Sequence, residues 1–512
     1  MKNVNQTECI SIVGNGAIRE SPSLGDEERN EIETSLISHE SPKISDEELV
    51  GSQNSTQRDE LHCILRLAVP LCFTYFLELL PNMVCIILVG HFQSEQTREY
   101  LDATVLSTML FSMIAHTTAI GLSSAMDTLC SQAYGAKKYL SMGIYLQSGI
   151  ISLSIAYIFI VVITLCTEEI LIALGQPAQV SNLAEEFTLW SLLGIPFLFL
   201  YELLRRILHA HNIAAPMLII AVVANIINIG LGYLLVYHTN LGWIGASIAR
   251  SVCNVSLGII LIIYVIISGF KDLFWDGWHL RDAWSGLKTY LSLGIPGLLQ
   301  VGFEYWAFWI VAIMCGWLPN DTVTIAANYI LLNNTSLVYM IYYGVGSAGG
   351  TRVGNLLGAG DPTRACWAFQ LTLGVNVLLA IVFAILIGCF RGYIPRIYSY
   401  DEDIVTLSSS LFIIGAIFQI GDAPQNAMQG VFRGCGRQTL GAILLFVAHY
   451  LIGLPLAALL AFPGQLGVHG LWIGMTVGIY TMTILSVSLV MLRFDWDKLS
   501  REAIKSENDD SK

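Results

Sequence analysis

Long apolar stretches alternate with short polar breaks along nearly the whole chain. Each of twelve stretches is long enough to cross the roughly 30 Å hydrocarbon core of a bilayer as a helix. They lie near residues 64–90, 103–125, 144–166, 184–204, 214–236, 243–268, 289–316, 323–346, 366–390, 406–428, 440–461 and 469–492. This pattern predicts an all-α integral membrane protein with about twelve transmembrane helices.

The composition supports one membrane domain with a polar tail. Of the 512 residues, 54% are hydrophobic and only 13% are charged, so the chain needs a lipid environment. Much of the net charge of −13 comes from the first sixty residues, where acidic residues are mixed with Ser, Asn and Gly. We predict that residues 1–60 form a disordered acidic tail, and they carry no signal-peptide pattern.

Lysine and arginine residues are distributed unequally between alternate loops, and this bias predicts the orientation. One set of loops contains Arg98, Arg391 and Arg396. The other set contains Lys137, Lys138, Arg205, Arg206, Lys271, Arg281, Lys288, Arg352, Arg364, Arg433 and Arg437. The richer set is expected to face the cytoplasm, which makes both termini cytoplasmic when the number of spans is even. The sequence fits the plasma membrane as well as a vacuolar or other endomembrane.

The two halves of the chain repeat each other. The segments that align, in the same order and with nearly the same shift, are residues 65–80 with 291–306, 124–138 with 347–361, and 241–249 with 466–474. The first pair superimposes Pro70 on Pro296, and the second superimposes Gly135 on Gly358. Three ordered matches indicate an internal duplication.

Two homologous halves with six helices each have the same orientation and are related by an axis along the membrane normal. This architecture suggests a site between two lobes and alternating access by rocking of one lobe against the other. The predicted organisation is an N-lobe at 61–270, a cytoplasmic linker at 271–288, a C-lobe at 289–492 and a cytoplasmic C-terminal tail at 493–512.

Several motifs resemble those of the multidrug and toxic compound extrusion (MATE) family. DTLCSQAYGAKK at 127–138 is similar to the family signature after the second span, and FEYWAFW at 303–309 is similar to its seventh-span pattern. Residues 337–362 and 421–438 resemble C-lobe motifs of eukaryotic, especially plant-like, members. The resemblance covers about residues 61–492. It implies a secondary active antiporter that exports organic cations or secondary metabolites in exchange for protons.

Carboxyl groups inside membrane helices are costly, so each one is a candidate for ion coupling. The candidates are Glu78, Asp127, Glu304 and Asp422. The resemblance implies that Glu304 and Asp422 form a proton-coupled cation site in the C-lobe. Two carboxyls that share a dry pocket hold a proton more readily than they do in water, so such a pair can exchange a proton for a cation. The alternative is that each carboxyl braces a helix through hydrogen bonds.

The two remaining carboxyls are secondary candidates. Glu78 lies eight residues after Pro70, as Glu304 lies eight residues after Pro296, and is therefore the pseudo-symmetry mate of Glu304. Glu78 is interpreted equally well as an ion-binding group and as an acceptor for a neighbouring hydroxyl. Asp127, at the end of the second span, is the more typical cap or brace.

Aromatic and polar side chains around the predicted site could contact a substrate, the rings by cation–π interaction. These candidates are Tyr305, Trp306, Tyr329, Asn333, Tyr339 and Gln425. We expect only one or two of the rings to take part, because aromatics in membrane helices mostly serve packing. Pro424, two residues after Asp422, is a candidate hinge or a static kink.

Other functions receive less support from the sequence. There is no Walker-type phosphate loop, the histidines are dispersed, and no cysteine pair has metal-ligand spacing, so we predict neither an enzyme nor a cofactor nor a metal site. Where bacterial relatives place an Asp in the first span this chain has Cys85, which disfavours a bacterial-style sodium site. Sodium coupling and a lipid or oligosaccharide flippase of related architecture remain alternatives. We expect a monomer whose partners are a small organic substrate, protons and the lipid bilayer, with no nucleic acid.

Overall fold

The computed structural model describes residues 56–319 and 321–510. Within these ranges twelve long helices follow one another, and we number them in chain order. They are α1 (Gln57–Gly90), α2 (Thr97–Gly135), α3 (Tyr139–Leu165), α4 (Ala178–Ala210), α5 (Ala215–His238), α6 (Ile244–Ile267), α7 (Leu280–Cys315), α8 (Asp321–Gly358), α9 (Pro362–Phe390), α10 (Glu402–Gly434), α11 (Gln438–Ala461) and α12 (Gly467–Arg493). The shorter helices are Thr167–Ala173, Lys271–Phe274, Ile394–Tyr398 and Trp496–Asp510.

Each of the twelve predicted spans corresponds to one long helix, which confirms the predicted fold class. Among the described residues, eleven of these helices are long and apolar enough to cross a membrane. The remaining one, α8, has sufficient length but carries Asn328, Asn333 and Asn334 in its middle. It packs against α1, α2, α9 and α10, so its polar residues face other helices.

Two predicted boundaries differ from the structure. The first helix begins at Gln57, so residues 57–60 do not belong to the acidic tail, whose residues 1–55 lie outside the described ranges. Glu60 is fully buried because it forms ion pairs with Arg352 and Arg364. The linker is also shorter than the predicted range of 271–288, because α7 already begins at Leu280. Hydropathy detects only the apolar centre of a helix, and these helices continue into polar residues.

The hydrophobic core is divided between the two halves of the chain. The largest cluster contains residues between Phe111 and Tyr290, and a second cluster contains only residues between Ala307 and Ile479. A smaller cluster joins the halves, with Leu71 and Tyr75 of α1 packed near Tyr343 of α8. The molecule is therefore built as two lobes that share an interface.

Small residues bring the lobes together in a symmetric way. A Cβ atom on Gly135 of α2 would lie 2.0 Å from the backbone oxygen of Asn355 in α8. Conversely, a Cβ atom on Gly358 of α8 would lie 2.1 Å from the backbone oxygen of Gln132 in α2. Both pairs obey the shift that relates the second pair of repeated segments, so the two contacts are pseudo-symmetry mates. We call the end of the lobes that carries Gly135, Gly358 and Gly434 the closed end.

Candidate functional site

Glu304 lies in α7 and is held only by neutral hydrogen-bond donors. Its carboxylate is 3% exposed and accepts hydrogen bonds from Gln425 Nε2 at 2.9 Å, Gln429 Nε2 at 3.0 Å and the Tyr339 hydroxyl at 3.3 Å. No lysine, arginine or histidine of the described residues forms an ion pair with it. This carboxyl is therefore hydrogen-bonded only to neutral groups, and the nearest cation that acts on it, Arg433, is not in ion-pair contact with it. Gln429 was not among the sequence candidates.

Asp422 lies on the same face of α10 as the amides that bind Glu304. Asp422, Gln425, Asn426 and Gln429 follow one another at helical i, i+3, i+4 and i+7 spacing, so they form one stripe. Asp422 is 3% exposed, and its Oδ1 accepts a hydrogen bond from Asn426 Nδ2 at 3.3 Å. The structure thus brings both predicted C-lobe carboxyls to one polar stripe, which we call the C-lobe carboxyl site. Pro424 lies within this stretch of α10 and is buried.

A chain of tyrosine rings leads from this site to the other lobe. Ring centroids are 6.4 Å apart for Tyr305 and Tyr339, 5.9 Å for Tyr339 and Tyr343, and 4.8 Å for Tyr343 and Tyr75 of α1. Tyr339 also donates the hydrogen bond to Glu304. Together with Gln425, which donates to Glu304, Tyr305 and Tyr339 are consequently the substrate-contact candidates that lie closest to the C-lobe carboxyl site.

The other aromatic and polar candidates lie further from Glu304. Trp306 turns toward the N-lobe, where its Nε1 donates to the backbone oxygen of Met113 at 3.5 Å. Tyr329 precedes Tyr339 by ten residues on α8, which corresponds to roughly 15 Å along the helix. Its side chain is 52% exposed. Asn333 is half-buried and lies between these two positions.

The pseudo-symmetry mate Glu78 has a different environment. Its Oε1 accepts a hydrogen bond from the Tyr201 hydroxyl at 2.9 Å and forms an ion pair with Arg205 Nη1 at 2.6 Å. Arg205 Nη2 also binds both carboxylate oxygens of Glu202, at 2.6 and 2.7 Å. The guanidinium group lies over the ring of Tyr75 at 4.8 Å. Glu78 is therefore part of a buried salt-bridge network.

Asp127 belongs to the same network. It forms an ion pair with Arg206, whose Nη2 lies 3.6 Å from Glu202 Oε2. From the other lobe, Arg433 Nε approaches Asp127 Oδ2 to 3.4 Å. We call the full set the N-lobe charge cluster, which contains Glu78, Asp127, Glu202, Arg205, Arg206 and Arg433. Three carboxylates and three guanidinium groups balance each other in this cluster.

The structure corrects the interpretation of several arginines as loop residues. Arg205 and Arg206 lie within α4, and Arg352, Arg364 and Arg433 lie within α8, α9 and α10, where all five are buried. They tolerate burial because carboxylates neutralise them. Glu202, which sequence reasoning missed, falls inside the predicted fourth span, so the criterion of a carboxyl in a membrane helix would have found it. The predicted orientation consequently depends on the remaining basic residues and stays a prediction.

The fold and the site together define a class of protein. Two six-helix lobes enclose buried carboxyls close to a shared interface, and one end of that interface is closed. This arrangement is typical of secondary transporters that work by alternating access.

Comparison with known proteins identifies the family. The family model described as MatE matches residues 70–234 and again 296–459. The two matches begin at Pro70 and Pro296, which are the residues that the internal repeat superimposes. The chain belongs to the MatE family of multidrug and toxin extrusion transporters, which are not enzymes.

Individual relatives agree with this assignment. The chain is 31% identical to multidrug and toxin extrusion protein 2 of Mus musculus, over 89% of this chain and 78% of that protein. It is also 31% identical to protein DETOXIFICATION 16 of Arabidopsis thaliana, over 89% of this chain and 92% of that protein. The crystal structure of the eukaryotic MATE transporter AtDTX14 superimposes with a TM-score of 0.82 at 29% identity, covering 88% of this chain and 99% of that one. The predicted eukaryotic, plant-like MATE resemblance is thereby confirmed.

Proposed function

We propose that this protein exports organic cations or secondary metabolites in exchange for protons, and that Glu304 and Asp422 are the coupling groups. The observation that carries the proposal is the neutral environment of Glu304. Its three partners donate hydrogen bonds but bring no positive charge. A carboxyl in such a site can lose its proton and become an anion without an ion-pair partner, which is the state that attracts a cation.

The exchange of protons for an organic cation follows from the charge of the two carboxyls. With both carboxyls ionised, the C-lobe carboxyl site carries two negative charges in a dry environment and binds a cation strongly. Protonation removes that attraction, so the cation is released where protons are abundant. The rings of Tyr305 and Tyr339 offer faces for cation–π contact beside Glu304. Protons and the organic cation therefore compete for one site.

The same contacts favour protons over sodium as the coupling ion. A sodium ion is a hard cation and needs several oxygen ligands around it. The groups that contact Glu304 are two amide nitrogens and one hydroxyl that donates its hydrogen. These donors stabilise an anionic carboxylate directly, and they would have to rotate before they could coordinate a metal ion. The family assignment likewise favours extrusion over the flippase alternative.

The orientation is part of the proposal. Lys137, Lys138, Lys271 and Arg437 lie at the closed end or in the loops that follow it, and their positive charge is expected to face the cytoplasm. Both termini would then be cytoplasmic, and the state described here would be closed toward the cytoplasm. We expect the protein to act as a monomer in the plasma membrane or an endomembrane.

The test is uptake of a radiolabelled organic cation into vesicles reconstituted with purified protein, under either an imposed proton gradient or an imposed sodium gradient. Wild type, Glu304→Gln and Asp422→Asn are compared. Glu402→Gln serves as the matched control because Glu402 is an exposed carboxyl on the same helix as Asp422. We expect proton-driven uptake in wild type and in the control, and its loss in both site variants.

Two outcomes would contradict the proposal. Uptake that follows the sodium gradient and survives both substitutions would place coupling elsewhere, with Glu78 and Asp127 as the next residues to test. If no organic cation were transported, the result would favour the flippase alternative.

A further inference from the structure

The end of α2 and the end of α10 meet at the closed end and bond to each other across the lobes. The Thr128 hydroxyl donates to the backbone oxygen of Arg433, and Gln132 Nε2 donates to that of Gly434 at 3.1 Å. In return, Gln438 Nε2 donates to the backbone oxygen of Ser124 at 2.9 Å. The last carbonyl groups of a helix lack partners within the helix. The N-lobe therefore caps the C-terminus of a C-lobe helix.

An ion pair lies directly beside this cap. Arg433 Nε is 3.4 Å from Asp127 Oδ2, and both side chains are almost fully buried. The guanidinium group of Arg433 also lies 5.2 Å from the ring centroid of Tyr343. Its two terminal nitrogens have no hydrogen-bond partner within the described residues. Asp127 is thus the one carboxylate in ion-pair contact with Arg433 in the described part of the chain.

Separation of the lobes would affect Asp127 and Arg433 differently. Asp127 would keep Arg206, which belongs to its own lobe. Arg433 would lose its carboxylate and would have to be solvated by water entering the gap. The interaction is consequently made only while this end is closed. A contact present in one of two states shifts the equilibrium toward that state by its full free energy.

The polar contacts between the lobes are concentrated on one side. Among the described residues, the hydrogen bonds and ion pairs that cross the interface reach no further toward the opposite end than Cys72 with Ile341, Tyr75 with Ser347 and Trp306 with Met113. The remaining crossing bonds lie nearer to the closed end. Breaking contacts at this end would therefore favour the state in which this end is open, because few other polar contacts hold the lobes together.

We propose that Asp127 and Arg433, together with the cap formed by Thr128 and Gln132, act as a latch that holds the closed end shut between transport steps. Arg206 and Glu202 are positioning residues, because they fix the carboxylate of Asp127 from within the N-lobe. The latch depends on the two-lobe cycle and does not depend on which ion drives transport. The latch can accordingly be confirmed or refuted independently of the proposed proton coupling.

Native cysteines at the interface report opening without any transport assay. The thiol of Cys72 donates to the backbone oxygen of Ile341 across the interface at 3.3 Å, and Cys435 is buried next to the α10 cap. Purified full-length protein in lipid nanodiscs would be treated with a water-soluble alkylating reagent, and modification of each cysteine would be followed by peptide mass spectrometry. Exposed Cys166 gives the reference rate.

The variant is Arg433→Gln, and the matched control is Arg437→Gln. Arg437 lies at the same helix end and equally close to Cys435 in sequence, but it is half exposed and pairs with Glu502 at 2.5 Å within its own lobe. For Arg433→Gln we expect alkylation of Cys435, which lies at the closed end, to rise about tenfold, which corresponds to about 1.4 kcal/mol. The control and Arg433→Lys, which keeps the positive charge, should stay within about twofold of wild type.

The alkylation results either support or refute the latch. Unchanged alkylation in folded Arg433→Gln protein would overturn the latch, and so would an equal rise in Arg437→Gln. If Arg433→Gln does not fold, Thr128→Val removes one bond of the cap at constant shape, and we expect a rise of about threefold. No rise in that variant would then refute the latch.

Discussion

Glu78 and Glu304 occupy equivalent positions in the two halves of the chain, yet their surroundings differ in kind. Glu304 is bound by two amides and a hydroxyl, whereas Glu78 is bound by a guanidinium group and a hydroxyl. A countercharge fixed beside a carboxylate favours its ionised form. A carboxyl among neutral donors can change its charge at a lower cost. Duplication supplied the same backbone position twice, and on the proposed mechanism we expect the neighbours to determine which copy exchanges protons.

The largest expected difference between the two regions concerns stability. Arg205→Met leaves Glu78 without its countercharge and leaves Glu202 with only the more distant Arg206, so we expect a loss of about 3–5 kcal/mol in the free energy of unfolding. Glu304→Gln removes no ion pair and should cost no more than about 1.5 kcal/mol. Thermal unfolding of the two variants in one detergent gives the comparison.

A double variant tests the reason for this prediction. Replacing Arg205 with Met and Glu78 with Gln removes one charge of each sign, so Asp127 and Glu202 remain balanced by Arg206 and Arg433. This should recover most of the stability lost in Arg205→Met. If the double variant were as unstable as the single one, packing rather than charge balance would explain the N-lobe charge cluster.

The next largest effect concerns Asp422. Asp422→Asn keeps the shape of the side chain but removes one of the two ionisable carboxyls of the C-lobe carboxyl site. We expect proton-driven transport to fall at least about tenfold, which corresponds to about 1.4 kcal/mol, while thermal stability changes little. Initial rates of uptake at saturating and subsaturating cation concentration provide the measurement. A variant with full activity would show that Glu304 acts alone.

A smaller effect is expected for the hydroxyl of Tyr339. Tyr339→Phe deletes the 3.3 Å hydrogen bond to Glu304 but retains the aromatic ring. A single such bond contributes about 0.5–1.5 kcal/mol, so the apparent KM for the cation should change by roughly twofold to tenfold. Concentration-dependent uptake measures it. A complete loss of transport would instead make the hydroxyl a participant in proton transfer.

The smallest effect is expected for Tyr329. This side chain is about half exposed and lies far along α8 from Glu304. We expect Tyr329→Ala to leave the apparent KM within about twofold of wild type, because a side chain without a contact in the site has little binding energy to lose. A much larger KM in Tyr329→Ala would place the substrate path further along α8 than the C-lobe carboxyl site.

Much of the fold could be predicted from the sequence because hydropathy and repetition are both strong signals. Even α8, which lacks an apolar window like those of the other eleven long helices, was predicted as a span at 323–346. The helix ends were less accessible, since α1 and α7 begin in polar segments that resemble loops. The burial of Glu60 depends on Arg352 and Arg364, which are distant in sequence.

The candidate site was only partly predictable for the same physical reason. A carboxyl in an apolar helix can be recognised one residue at a time, and Glu304 and Asp422 were found in this way. The partners of a carboxyl depend on the packing of separate helices. The sequence predicts that Arg205 and Arg206 are loop residues near the end of a span, although the tertiary structure buries them beside Glu78 and Asp127. Gln429 and Arg433 likewise acquire their roles only from the approach of α10 to α7 and α2.

We propose that Glu304, and not its mate Glu78, exchanges a proton for the substrate. Calorimetric titration of the purified protein with a quaternary organic cation, in buffers of different ionisation enthalpy, measures the protons released on binding. We predict release of about one proton per bound cation in wild type and in Glu78→Gln, and none in Glu304→Gln. Proton release that persists in Glu304→Gln and disappears in Glu78→Gln would contradict the account.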